Sequence, residues 1–132
     1  MSGLAAVLNG DAPAGVYRWR LHFDVADVQH TVEHAGWRFG YVDGARVETP
    51  AELHTAIDDA LVFPPYYGRN LDALAECLAD CDGAQVLLWD SWGVLARAEP
   101  AFFGTVVELL AGSEITTLLR GHGPDLDVPL LD

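Results

Sequence analysis

The chain has 132 residues, 51% of them hydrophobic and 20% charged, and its 20 Asp and Glu against 7 Arg and Lys give a formal net charge of −13. That length suits one globular domain, and that hydrophobic content lies outside the regime of disordered chains. The charge excludes direct binding of a nucleic-acid phosphate backbone, while favouring encounter with a basic partner.

Residues 1–15 contain Asn9-Gly10, Pro13 and Gly15 without a regular period, and are expected to form a mobile tail preceding a single domain over 16–132. The apolar run Leu4 to Leu8 is too short for a signal-peptide core, and no segment approaches the roughly 20 apolar residues of a membrane span. A cytoplasmic protein without membrane contact is therefore expected. Val16 to Phe23 alternates polar with apolar residues, as a half-buried strand does. Asp24 then precedes Val25, Val28 and Val32 at helical spacing, with Gly36 in the C-terminal capping place. Trp37 to Val42 reads as a second strand, stopped at Asp43-Gly44.

In Thr49-Pro50-Ala51-Glu52 the threonine caps, the proline takes the first helical position and the glutamate completes a capping box. The helix so begun carries Leu53, Ile57, Ala60 and Leu61 on one stripe and cannot pass Pro64-Pro65. Asn70 opens another helix, apolar at Leu71, Leu74, Ala75 and Leu78, reaching about Cys81. Val86 to Trp89 and Ile115 to Leu119 are continuous apolar runs of the kind found in buried parallel strands. Between them lie an indistinct segment, Ser91 to Arg97, and a helix from Pro100 to Ala111 ended by Gly112. Strands alternating with helices predict an α/β fold with a small parallel sheet.

Asp72, Glu76 and Asp80 recur every fourth residue, which on a helix aligns them in one acidic row. Each like-charge pair opposes helix formation by a few tenths of a kcal/mol. Two readings follow: a solvated face that keeps the protein soluble, or a surface for a cationic ligand. Asp58-Asp59 and Asp82 would enlarge such a surface if the connector brings them together. That connector, Phe63 to Asn70, sets Tyr66 and Tyr67 between two prolines and a glycine, placing rigid aromatics beside carboxylates as interface hot spots do.

The run PPYYGRNLDALAECL, Pro64 to Leu78, closely resembles the signature of the barstar family of intracellular inhibitors of barnase-type ribonucleases. The resemblance extends loosely over Trp37 to Leu119 and leaves residues 1–36 as an N-terminal extension, with a β-α unit following the tail. It implies a barstar-like α/β fold and a helix that plugs a basic ribonuclease, its carboxylates standing in for RNA phosphates. By position, Tyr66 matches the family's interface tyrosine, Asp72 its first interface carboxylate and Glu76 the dominant one, an aspartate in the founding member. Tyr67, Ala75, Ala79 and Asp80 fall on the same implied surface, and Glu108 is the nearest match to an acidic residue of the family's last helix. Ala75 and Cys81 replace aromatic residues of the founding member, and Asp80 replaces a glycine.

His30 and His34 have metal-ligand spacing, but no third ligand stands at a recognisable distance, so a solvated helix face is expected there. Cys77 and Cys81 are four apart, which is not the redox spacing, and are expected to be packed thiols. No phosphate loop, nucleophile elbow or zinc-protease motif is present. The expectation is therefore an inhibitor of a basic ribonuclease or related toxin, without catalysis, cofactor or metal. A barstar-fold binding or regulatory module without inhibition is the alternative, and a metal-dependent hydrolase using the acidic row stands third.

Overall fold

The computed structural model describes residues 2–132. Five strands form one parallel sheet among these residues: β1 (Gly15–Trp19), β2 (Arg38–Asp43), β3 (Gln85–Asp90), β4 (Thr116–Arg120) and β5 (Leu130–Leu131), in the spatial order β2-β3-β4-β1-β5. The helices are α1 (Ser2–Leu8), α2 (Val25–His34), α3 (Pro50–Leu61), α4 (Leu71–Ala79), α5 (Gly93–Ala98) and α6 (Pro100–Ala111). The α/β class and parallel sheet are those expected from the sequence.

Alternation along the strands divides the core in two. Leu87, Trp89, Leu119 and Val16 face the layer of α3 to α6, where they meet Leu53, Ile57, Leu74, Leu78, Phe103 and Leu110. Val86, Leu88, Leu118, Tyr17 and Trp19 face the other way, onto Leu4 and Val7 of α1 and Val28 and Val32 of α2. The segment before Trp37 thus covers a sheet face whose central strands come from later in the chain. Its strand β1 pairs with β4, Val16 opposite Thr117.

This corrects the expected mobile tail. Residues 2–8 are helical, and Leu4 and Val7 are fully buried; Met1 lies outside the described residues. The helix sits so close to β5 that a Cβ at Gly3 would strike the Asp132 backbone and the Leu131 side chain. Burial of two apolar residues one turn apart, with Leu8 and Ala12 packed beside them, outweighs the weak intrinsic preference of a seven-residue helix.

Other elements also depart from the sequence expectation. β1 ends at Trp19 instead of Phe23 because the chain turns across the strand ends, where the carbonyls of Leu21 and Phe23 accept hydrogen bonds from Arg120 Nη1 at 3.0 and 2.8 Å. The indistinct segment holds most of α5, which buries Leu95 and Ala96 and is preceded by buried Trp92. β5, with only two residues, pairs with Arg18 and Trp19. At Gly40 the backbone of β2 comes so near α3 that a Cβ would overlap the Ala60 carbonyl oxygen.

Candidate partner-binding site

The connector between α3 and α4 is set at both ends. α3 starts as its sequence dictates, Thr49 Oγ1 accepting from Glu52 N at 3.1 Å while Glu52 Oε1 accepts from Glu48 N, also at 3.1 Å. It ends at Val62, a left-handed residue (φ 55°, ψ 60°) whose N–H bonds to the Asp58 carbonyl. Pro64 then accepts from Tyr67 N at 3.0 Å, closing a turn. Asn70 Oδ1 accepts from Ala73 N at 2.8 Å and so caps α4.

The two adjacent tyrosines part company. Tyr66 is 81% exposed, whereas Tyr67 is buried at 8%. The Tyr67 hydroxyl bonds to Nδ1 of buried His54, and its ring lies edge-on to Phe63 at 4.9 Å between centroids. Burial, more than the nearby Cys77 and Asp58, pushes the Tyr67 hydroxyl up to about 12. Tyr67, expected on the partner surface, is thus a core residue that anchors the loop carrying Tyr66. His54 was not distinguished in the sequence: it lies on the buried side of α3, and burial together with Arg69 lowers its basicity.

On α4, Leu74 and Leu78 are buried while Asp72, Glu76, Ala79 and Asp80 are exposed. Asp72 sits in the first turn, where the helix dipole favours it; Asp80 is the C-cap, where the dipole opposes it. The row therefore presents negative charge at a net electrostatic cost to its own helix. Ala75 and Ala79 line a groove of about 200 Å³ with Glu108 and Leu109 of α6. The structure brings Ala75, Ala79 and Glu108 together there.

Asp58 faces Arg69, Nη2 to Oδ2 3.9 Å, and Asp59 lines a different hollow with Asp43, Arg46 and Glu52. No group of three His, Cys, Asp or Glu is arranged to hold a metal ion among the described residues. His30 and His34 are exposed, their rings stacked at 5.9 Å. Cys77 and Cys81 are free and partly buried, with the Cys81 thiol donating to the Cys77 carbonyl at 3.3 Å. Burial is the leading cause that pushes both thiols up.

A second polar cluster escaped sequence reading because its members are far apart in the chain. At the carboxyl ends of β3 and β4, Arg120 grips Asp90 through two bonds of 2.6 and 2.9 Å, and Tyr41 donates to Asp90 Oδ2 at 2.9 Å. Burial, then the bond to Asp90, raises the Tyr41 hydroxyl to about 12. Arg120 thus ties Asp90 to the carbonyls of Leu21 and Phe23, with Tyr41 on the same carboxylate, which makes the cluster a clamp on the strand ends.

No helix among the described residues is long and apolar enough to cross a membrane. The family model described as Barstar (barnase inhibitor) matches residues 37–127. A Bacillus subtilis (strain 168) protein named "Putative ribonuclease inhibitor YrdF" is 54% identical over 37 residues, or 28% of this chain; the match spans only 41% of that relative's length. A chain in the structure of Drosophila ORC bound to DNA superposes on 85% of this chain and 33% of its own, with a TM-score of 0.59 and 14% identity. At that identity the likeness is one of fold.

Proposed function

The chain belongs to the barstar family, and from that membership we propose that it binds and inhibits a basic ribonuclease, or a related basic toxin, by occupying its active site with α4. Asp72 and Glu76 take the place of RNA phosphates, Tyr66 packs against the target, and Asp80 and Glu108 extend the acidic surface. The protein acts by occupancy and performs no chemistry. Its place of action, in this reading, is the cytoplasm, where it neutralises a ribonuclease before export or one arriving from outside.

The observation that carries the proposal is the exposure of the carboxylate row on α4, a helix fixed by the Asn70 cap and by two buried leucines. A preset surface of this kind loses little freedom on binding, and its charge speeds encounter with a cationic target. The direct test is titration of a barnase-type ribonuclease with the purified protein at low salt. Stoichiometric loss of RNA cleavage is the expected result; full activity with saturating protein, together with failure to recover a basic ribonuclease from source lysate or supernatant, would refute it.

The groove at Ala75 and Ala79 favours a second reading. Where the founding member has a tryptophan, this chain has Ala75, which replaces a large contact by a recess of about 200 Å³. A barstar-fold module that binds a basic protein without inhibiting it would use the same face. Binding without loss of ribonuclease activity would select that reading.

A further inference from the structure

The chain diverges at the neighbouring strands β4 and β1. After β1, Leu21, Phe23 and Val25 pack on the α1 and α2 side of the sheet; after β4, Leu126 and Val128 pack on the opposite side. Where two chain segments leave adjacent parallel strands toward opposite faces, a crevice opens outside their carboxyl ends, and such crevices are habitual ligand sites of open α/β sheets. Here the crevice is a pocket of about 230 Å³, with Arg18, Trp19, Arg20 and His22 on the β1 side and Leu119, Gly121 and His122 on the β4 side.

Its chemistry is opposite to that of the rest of the molecule. The chain carries 20 Asp and Glu and 7 Arg, yet among the described residues no acidic side chain lines this pocket. Neither Arg18 nor Arg20 has a carboxylate within ion-pairing distance among the described residues, whereas Arg46, Arg69 and Arg120 do. Arg18 is held over the Trp92 ring at 5.7 Å, which orients a cation without neutralising it. Trp19 and Leu119 are each 1% exposed and face opposite sides of the sheet, so the open lining is left to the arginines, His22, Gly121 and His122.

We propose that this pocket binds a small anion, its phosphate or carboxylate group meeting Arg18 and Arg20. An apolar cavity of about 150 Å³ admits benzene, so a crevice of about 230 Å³ has room for such an anionic group. Two arginines on a crevice fit forked recognition of such groups. The site is independent of α4 and stands whether or not the protein inhibits a ribonuclease.

The test is a titration of ¹⁵N-labelled full-length protein with phenyl phosphate, benzoate, inorganic phosphate and neutral benzyl alcohol. Inorganic phosphate, phenyl phosphate or benzoate should move the Gly121 and His122 amide resonances saturably and bind at least tenfold more tightly than benzyl alcohol; the strongest of the three identifies the preferred anion. Arg20→Gln, at an exposed side chain that leaves the core untouched, should weaken binding about fivefold or more, and Arg18→Gln with Arg20→Gln should abolish it. Glu76→Gln on α4 should leave it unchanged. Absence of a saturable shift with any of the anions, equal binding of benzyl alcohol, or full retention in Arg20→Gln would each overturn the proposal.

Discussion

The hydroxyl of Tyr67 and Nδ1 of His54 share a hydrogen bond beneath the loop that displays Tyr66, with both rings buried. The pair joins the connector to α3 thirteen residues earlier and fixes the height at which the exposed tyrosine stands. Arg69, paired with Asp58, ties the same loop to α3 from the outside.

Tyr67→Phe keeps the ring and leaves His54 with a buried, unpaired nitrogen, at an expected cost of about 1–3 kcal/mol in urea unfolding. Acid should act on the same pair. The basicity of His54 is lowered in the folded protein from its ordinary value of 6.5, so the unfolded chain takes up the proton first. His54 therefore contributes its full stability above pH 6.5, and that contribution is lost as pH falls below 6.5 toward the lowered folded value. Urea midpoints at a series of pH values should fall on acidification, and less steeply in His54→Gln.

Val62 ends α3 in a left-handed conformation while 83% exposed. A β-branched residue there is strained by about 1–2 kcal/mol, and its side chain gains little from burial. Val62→Gly should relieve the strain against a smaller entropic cost in the unfolded chain, raising stability by roughly 0.5–1 kcal/mol in urea unfolding. If Val62 belongs to the surface that meets the partner, affinity should fall as stability rises.

The helix from Pro50 is legible in the sequence because its start signals are local: the Thr49 cap, the proline and Glu52 lie within four residues, and the structure uses them together. The parallel strands β3 and β4 are legible for a similar reason, since burial on both faces leaves uninterrupted apolar runs. Tyr66 and Tyr67 are indistinguishable by type and setting; what separates them is His54, which no local pattern connects to either. α1 escapes because Leu4 and Val7 make too short a stripe to establish a period, and its partners Leu88 and Leu118 lie far along the chain. The acidic row is legible from spacing alone, but the pairing of Asp58 with Arg69 depends on the course of the connector.

Since α1 covers part of the sheet, Leu4→Ala should destabilise the whole fold. Leu4 is fully buried in the cluster with Val86, Leu88 and Leu118, and truncating such a leucine costs about 2–5 kcal/mol. A mobile tail would show no change in urea unfolding. Partner affinity, measured well below the unfolding transition, should persist, because α4 packs on the opposite side of the sheet.

Glu76 offers the sharpest separation of binding from folding. It is exposed on α4, away from buried Leu74 and Leu78, so Glu76→Ala leaves the core intact and removes like-charge pairs with Asp72 and Asp80. Urea stability should hold or rise by a few tenths of a kcal/mol. If Glu76 enters a cationic active site, its loss leaves the partner's arginine or lysine desolvated and unpaired, at about 2–5 kcal/mol of affinity, or roughly 30-fold to several-thousand-fold. Association of the parent protein should also slow as salt rises from about 0.02 to 0.5 M, because the Debye length contracts several-fold. Glu76→Asp restores the shorter carboxylate of the founding inhibitor and tests whether the extra methylene sets target choice. Measuring affinity and unfolding side by side on these variants distinguishes the alternatives: unchanged affinity in Glu76→Ala means a solvated face, and collapsed stability means a structural one.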